Sequence, residues 1–245
     1  MNVGLQQVLD ESALSRAQIA ERAGLHRATV YRAADGSTDL RIDTLEELAL
    51  ACGMEVAFSY RPASVPAAAD AGRVMLDADS LDPTSAEVLT WIERLRRYAG
   101  ENPLRIAEEA GRYSSLLHRQ GAVYMVGDFT PERLASAGYA TGKNWALSGA
   151  VALEAMEAEL PADVVSVMWV SDPLAVSQLL SDSGRVARRG ASSANLILAT
   201  PTFTTLTGMV PLDGLRLVAP VQAVIDCAGL QGPTRDAAFD VARTW

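Results

Sequence analysis

The sequence predicts an α+β protein in which an all-α N-terminal domain is followed by an α/β body. Over the first 53 residues, apolar side chains recur at helical spacing, and glycines follow the predicted helical stretches. Beyond about residue 83, apolar runs typical of buried strands alternate with segments that open on a capping residue followed by proline. We therefore predict a helical domain with a trailing strand at 1–61, a linker at 62–82 and an α/β domain at 83–245.

Composition limits the possible classes of protein. A chain of 245 residues is long enough for two domains, and 49% hydrophobic and 21% charged residues are typical of a globular protein. There is no run of about 18 apolar residues and no basic-then-apolar leader, so we expect no membrane span and a cytoplasmic location. Cys52 and Cys227 are expected to be reduced core thiols. The net charge of −9 excludes a general basic coat but not a local basic face.

The most informative segment is 14–32, which has the pattern of two short helices joined by a tight turn. Ser15 is a natural N-cap for the first helix, and Gly24 stands where the backbone must turn with a positive φ. The second helix is predicted to begin at about His26, with Val30 directed inward. Its other face carries His26, Arg27, Thr29 and Arg32. This pattern predicts a helix-turn-helix whose arginines reach guanine edges or phosphates, although similar helix pairs also occur in bundles that never bind DNA.

Further helices are predicted on both sides of this motif, over 3–13 and over 43–52, the latter ending at Gly53. The marks shared with a known family are, in chain order, Ile19-Ala20, Gly24, Val30, Asp35-Gly36 and Leu45-x-x-Leu48-Ala49. On these marks, residues 3–53 resemble the lambda-repressor-like, or Xre, family of DNA-binding domains. The resemblance implies that Arg16 contacts a phosphate or an outer base. It also implies that bases are read by His26, Arg27, Ala28 and Arg32.

The predicted DNA-binding domain is acidic as a whole but basic around the motif. Residues 1–62 hold six arginines and nine acidic residues, a net charge of −3. Four of the six arginines lie in or beside the two motif helices. A positive face on an acidic domain restricts non-specific binding and favours a defined DNA site.

Residues 54–60 partly alternate apolar and polar side chains, which predicts a half-buried strand, Met54–Tyr60. Two partners are open for it: the same strand of a second subunit, which would pair two DNA-binding domains, or another strand of this chain. The following segment, from Arg61 to about Pro83, is rich in Ala, Pro, Asp and Ser and is interpreted as a linker.

The remainder of the chain is predicted to alternate helices and strands. Helices are predicted to begin at Asp82-Pro83-Thr84, Asn102-Pro103, Thr130-Pro131, Trp145 (extending to Met156), Asp172-Pro173, Pro220 and Pro233. Strands are predicted over 122–126, 164–170, 195–199 and 215–219. The segment Arg105–Gly111 also echoes Gln18–Gly24. It is either a second, degenerate helix-turn-helix with 122–126 as its wing or, as we prefer, part of an ordinary helical pair.

Two segments of the body carry a second resemblance, Trp145–Leu153 (WALSGAVAL) and Asp213–Asp226 (DGLRLVAPVQAVID). Together they are similar to the C-terminal domain of AbiEi-type antitoxins, which are transcriptional autoregulators of type IV toxin–antitoxin systems. The resemblance covers roughly residues 100–245 and implies an antitoxin-like autorepressor. One departure is that this family usually carries a winged helix-turn-helix in front, whereas the clear motif here is Xre-like.

No catalytic or metal site is predicted in the body. Ser148-Gly149 resembles the turn of nucleotidyltransferases, which need two acids at i and i+2 of the next strand to hold Mg²⁺. The predicted strand 164–170 has no acid, since Asp163 precedes it and Asp172 follows it. Phosphate-binding glycine motifs and CxxC pairs are also missing from the sequence. We therefore expect no enzyme activity, no cofactor and no metal.

Several other residues have structural interpretations. Asp226 is expected to be a buried acid paired with an arginine such as Arg216, and His118 to lie at a helix end. The arginines at 185, 188 and 189 belong either to a solvated loop or to a contact with phosphate or nucleic acid. Core positions are expected for Trp91, Trp145 and Trp169.

These observations predict a sequence-specific, homodimeric DNA-binding transcriptional regulator, with an antitoxin-like autorepressor as its specific form. The expected partners are double-stranded DNA, a second copy of the chain, and a toxin or small-molecule effector. Two alternatives are a ligand-responsive repressor whose body binds a small molecule, and a nucleotidyltransferase-like enzyme, which the missing acids disfavour.

Overall fold

The computed structural model describes residues 3–77, 85–142 and 144–244 and confirms an α+β protein. The chain divides into two compact units, residues 1–61 and residues 62–245, which we call the head and the body. The described part of the head is helical, and the body combines helices with a seven-stranded mixed sheet. The helix start predicted at Asp82-Pro83-Thr84 lies outside the described residues.

The head is built from α1 (Val3–Glu11), α2 (Arg16–Arg22), α3 (Arg27–Ala34) and α4 (Ile42–Ala51). Ser15 caps α2 as predicted, because its hydroxyl accepts from the backbone N–H of Gln18 while the Gln18 side chain accepts from the backbone N–H of Ser15. The four helices share one apolar core in which Ile19, Val30 and Leu48 are fully buried. Burial of Val30 fixes which side of α3 faces solvent.

The turn between α2 and α3 depends on Gly24, whose φ is +64°. The backbone N–H groups of Gly24 and Leu25 donate to the carbonyls of Glu21 and Ala20 at 3.3 and 2.9 Å, which closes the end of α2. A Cβ on Gly24 would meet nothing within 4 Å, so the glycine is needed for its backbone conformation and not for space. The predicted turn is confirmed.

Residues 54–60 do not pair with another strand of the described chain, so that one of the two predicted alternatives is wrong. The backbone is irregular from residue 54 to residue 65, and the side chains of Met54, Phe58 and Tyr60 are exposed. A strand needs a neighbour for its backbone hydrogen bonds, and none of the described strands pairs with this segment. Pairing with a second subunit stays a prediction.

In the described part of the body the helices are α5 (Pro66–Leu76), α6 (Ala86–Ala99), α7 (Pro103–Tyr113), α8 (Pro131–Thr141), α9 (Ala150–Ala155), α10 (Pro173–Leu179), α11 (Pro220–Ala228) and α12 (Pro233–Ala242). Side-chain oxygens of Asn102, Thr130 and Asp172 cap α7, α8 and α10 immediately before a proline, as predicted. His118 ends a short 3-10 turn, Leu116–His118, which agrees with its predicted helix-end position.

The sheet contains β1 (Val123–Gly127), β2 (Trp145–Gly149), β3 (Ser166–Val170), β4 (Gly184–Val186), β5 (Leu196–Ala199), β6 (Val210–Leu212) and β7 (Leu215–Leu217). Their order is β4-β1-β5-β3-β2-β7-β6, with β3–β5 and β2–β7 parallel and the other pairs antiparallel. One face of the sheet packs on α8 and α10, and the other packs on α11. The four predicted strands correspond to β1, β3, β5 and β7 and are confirmed.

The linker predicted at 62–82 is wrong. Most of it forms α5, which packs against α6, α7 and α11 in a helical core where Ala68 and Ala71 are fully buried. Gly72 lies so close to α7 that a Cβ there would meet the Cβ of Ala110 at 2.5 Å. The small residues that suggested a flexible linker are the ones that permit this close packing.

The prediction of a single helix over Trp145–Met156 is wrong. Strand β2 occupies the first five residues of this segment, and α9 follows. A continuous apolar run does not distinguish a buried strand from a buried helix. Here Trp145 and Leu147 pair across the sheet with Val170 and Met168 of β3.

The echo at Arg105–Gly111 is not a second helix-turn-helix. Helix α7 continues through Gly111 to Tyr113, and the supposed wing, β1, lies inside the sheet between β4 and β5. The preferred interpretation, an ordinary pair of helices, is confirmed by α6 and α7, which pack against each other.

The remaining predictions of burial are confirmed. Both cysteines are free, with Cys227 buried and Cys52 partly buried. The tryptophans at 91, 145 and 169 all lie in the core. None of the described helices is long and apolar enough to cross a membrane.

Candidate nucleic-acid interface

The candidate interface is the surface of α3 that stays exposed while Val30, Ala33 and Ala34 are buried in the core of the head. It presents the exposed residues His26, Arg27, Ala28 and Arg32, together with the half-buried Thr29. The helix contains two arginines and no acidic residue, although the head as a whole is acidic. The face is therefore a local concentration of positive charge.

Arg27 and Arg32 are both available to a ligand. The Nε of Arg32 donates to the carbonyl of Ala28 at 3.2 Å, which holds the side chain along α3. Neither guanidinium forms an ion pair with a carboxylate of the described residues. Their charges are thus not neutralised within that part of the chain, and both can bind phosphate or the O6 and N7 atoms of guanine.

The N-terminus of α3 adds further hydrogen-bond donors to this face. His26 is the N-cap residue, but its side chain makes no capping hydrogen bond. The N–H of Thr29 donates to the carbonyl of His26 at 2.9 Å, whereas the N–H groups of Arg27 and Ala28 have no partner inside the helix and can attract anions. Arg27, the first residue of α3, places a guanidinium beside them.

Arg16 is in a different environment from the arginines of α3. It forms an ion pair with Asp10 of α1, and its side chain is only 23% exposed. The pair links α2 to α1 and balances the charge of Arg16. A DNA contact by Arg16 would therefore require this pair to open.

Tyr31 lies on the exposed side of α3 and was not predicted. Its side chain is 54% exposed and follows Arg27 by one helical turn. The i, i+4 spacing of the arginine and the tyrosine was the signal available in the sequence. An exposed aromatic ring beside an arginine offers stacking area to a nucleic acid.

The body holds a second polar feature, a buried charge cluster formed by Asp70, Arg73, Arg119 and Asp226. Asp226 is the best-satisfied member. Its Oδ2 accepts from the hydroxyl of Ser148 at 2.7 Å and from the indole N–H of Trp169 at 2.8 Å. Its Oδ1 accepts from the side-chain amide of Gln222 at 2.7 Å. Asp226 is therefore a buried acid as predicted, although its partner is not Arg216, which lies over the rings of Tyr139 and Trp145.

The electrostatics of the cluster follow from its burial. Burial raises the pKa of Asp226 to about 6, against the opposing effect of its three hydrogen bonds and of Arg119. Burial also raises the pKa of Asp70, against hydrogen bonds from Thr202 and Thr204. Burial lowers the pKa of both arginines; for Arg73 this is opposed first by its ion pair with Asp77 at 3.0 Å and then by Asp226 and Asp70, and for Arg119 by Asp226 and Asp70. The four charges therefore depend on one another.

This cluster joins distant parts of the body. Asp70 and Arg73 belong to α5, Asp226 belongs to α11, and the loop after β5 contributes Thr202, Thr204 and the carbonyl of Thr207. Some N–H groups of both arginines have no partner within the described chain. These hydrogen bonds hold α5 against the loop after β5.

The nucleotidyltransferase-like turn lies inside this buried region. Ser148 of β2 is fully buried and donates to Asp226, and the neighbouring strand β3 carries no acidic side chain. Asp172 is engaged as the cap of α10, where it accepts from the backbone N–H of Ala175 at 3.0 Å. Within the described residues no three His, Cys, Asp or Glu side chains are grouped to hold a metal ion.

We compared this chain with family models, curated proteins and solved structures, and found no match in any of the three.

Proposed function

We propose that this protein is a sequence-specific DNA-binding transcriptional regulator that reads duplex DNA through the exposed face of α3. The observation that carries the proposal is that Arg27 and Arg32 are exposed on a helix that the fully buried Val30 anchors in the core of the head. Anchoring fixes the helix from which the two arginines extend, which recognition of base edges requires. Ala28 offers only a methyl contact, which suits a thymine.

The body supports a regulatory role by assembling subunits or by binding a toxin or small-molecule effector. The Xre-like marks of the head and the AbiEi-like segments of the body favour an antitoxin-like autorepressor that acts on DNA upstream of its own gene. No catalytic step belongs to this proposal, because β3 lacks the acid pair that nucleotidyl transfer needs.

Arg27→Ala and Arg32→Ala are each expected to weaken binding to the upstream DNA by about 1–3 kcal/mol, since each removes a base or phosphate contact. Fluorescence anisotropy at matched salt, with a scrambled duplex alongside, measures the effect. Arg41→Ala is the matched control, because Arg41 is an exposed arginine outside α2 and α3. Wild-type affinity in both α3 variants would exclude α3 as the DNA-reading helix.

A homodimer is expected to bind an inverted repeat whose half-sites lie about one helical turn, ~10 base pairs, apart. The reason is that one head contacts one half-site, which rarely supplies enough affinity over a genome of competing sites. Sedimentation of the full chain, with and without DNA, tests this expectation. A species that remains monomeric at micromolar concentration in both conditions would contradict it.

A further inference from the structure

Three arginines of the body, Arg185, Arg188 and Arg189, form a second concentrated positive surface, which we call the arginine patch. All three are exposed and line one surface depression together with Val126 and Ser193. The depression has no acidic lining residue, and none of the three arginines forms an ion pair with a described residue.

The charge of the patch contrasts with that of the body around it. The chain has 21 basic and 30 acidic residues, of which the head holds 6 basic and 9 acidic ones. Residues 62–245 therefore carry 15 basic and 21 acidic residues, a net charge of −6. Three arginines within five residues repel one another, and their repulsion is relieved when an anion binds. In an acidic body, such a patch attracts a polyanion to one place, while the rest of the surface does not bind polyanions non-specifically.

The backbone holds the patch in a defined shape. Arg185 lies on the edge strand β4, opposite Val126 of β1. Directly after β4, the N–H of Ala187 donates to the carbonyl of Tyr124 at 2.8 Å, which ties the chain to β1. The carbonyl of Arg189 accepts from the hydroxyl of Ser192 at 3.0 Å. The arginines therefore extend from an ordered support and not from a free loop.

We propose that the arginine patch binds the phosphate backbone of duplex DNA, as a second DNA contact separate from α3. The chain from Arg185 to Arg189 spans at most about 14 Å. Over that length a duplex presents roughly eight phosphate charges, so three guanidinium groups meet several of them at once. An open depression with arginines and one serine hydroxyl suits phosphate oxygens, which carry no sequence information.

This inference rests on the proposed function, and the two make different predictions. Contacts by α3 discriminate between sequences, whereas contacts by the patch strengthen binding to every duplex. The test therefore measures the dissociation constants of the full chain over a salt series, on the upstream DNA and on a scrambled duplex.

The triple variant Arg185→Ala, Arg188→Ala, Arg189→Ala is expected to reduce the slope of log affinity against log salt by about 2 to 3 on both duplexes, while the preference for the upstream DNA stays unchanged. The control variant Arg96→Ala, Arg97→Ala, Arg105→Ala removes the same charge from exposed positions on α6 and α7 and is expected to keep the wild-type slope. Thermal unfolding checks that both variants fold.

A wild-type slope in the patch variant would overturn the inference. An equal reduction of the slope in the control variant would also overturn it, because the effect would then come from the net charge of the protein and not from the patch. Salt-sensitive binding that depends on the patch but shows no preference for the upstream DNA would support the patch and refute the proposed function. Binding to neither duplex by the wild-type chain would refute both.

Discussion

Replacing Asp226 with alanine is expected to lower the free energy of unfolding of the body by about 3–5 kcal/mol near neutral pH, the range seen when one partner of a buried charged network is removed. The variant leaves three buried donors, on Ser148, Trp169 and Gln222, without their acceptor. It also removes a negative charge that stabilises the charged forms of Arg73 and Arg119. Chemical denaturation of the full chain, followed by tryptophan fluorescence, measures the loss.

Asp226→Asn is the matched control for this prediction. The Oε1 of Gln222 is buried without a partner in the described chain, so rotation of that amide lets it accept from the Nδ2 of the new asparagine. The asparagine oxygen still accepts from Ser148 and Trp169. We therefore expect Asp226→Asn to be clearly less destabilised than Asp226→Ala, and equal losses would contradict the hydrogen-bond explanation.

The wild type and Asp226→Asn together test the pKa of Asp226. The folded protein binds a proton at Asp226 up to about pH 6, whereas the unfolded chain releases it near pH 3.8. Between these values the folded state holds more protons, so the stability of the wild type relative to Asp226→Asn should fall as pH rises, by roughly 3 kcal/mol in total. Above that window the difference should be constant. A difference that rises with pH in this window would show that the carboxyl is stabilised in its charged form.

Gly111→Ala is expected to destabilise the body by about 3 kcal/mol, at the upper end of the cost of overpacking. A Cβ at Gly111 would meet the carbonyl oxygen of Ile225 at 2.4 Å and the backbone nitrogen of Gly229 at 2.7 Å. Backbone atoms of a packed helix cannot move aside alone, so α7 and α11 must separate. The loss is measured by the same denaturation assay.

The control for Gly111 is Gly214→Ala, which also lies in the body. Gly214 follows Asp213 in the two-residue turn between β6 and β7, has a φ of +83°, and a Cβ added there would meet nothing within 4 Å. Its replacement therefore brings backbone strain of roughly 1–2 kcal/mol without a clash. A loss at Gly111 no larger than that at Gly214 would contradict the close approach of the two helices.

Gly24 and Gly111 also show why the sequence was informative in the head and ambiguous in the body. Both follow a similar stretch, yet Gly24 ends a helix by its backbone conformation while Gly111 sits inside a helix that continues. The features of the head that the sequence predicted correctly are local: the Ser15 cap, the turn at Gly24 and the burial of Val30. Such features depend on residues a few positions apart, so a single sequence contains them.

The errors all concerned contacts between distant segments. The alanines of α5 do not reveal that α11 covers them, and the apolar run at Trp145 becomes a strand because β3 pairs with it. The residues at 54–60 have a strand-like pattern but no partner in the described chain. For the candidate interface, exposure of the α3 arginines followed from the helical pattern, whereas the ion pair of Arg16 with Asp10 depends on how α1 packs against α2.

The position of α5 affects the order in which the protein folds during synthesis. The contacts of Asp70 with Thr202 and Thr204 join residues 132 and 134 positions apart. At ribosomal speeds, the second half of such a contact emerges on the order of ten seconds after the first. The head contains all the residues of its own core and can fold early, and α5 can pack on α6 and α7 soon afterwards, but the part of this helical core that contacts α11 stays uncovered until α11 has left the ribosome. Nascent body chains are therefore the stage at which this protein is most exposed to aggregation and to chaperones.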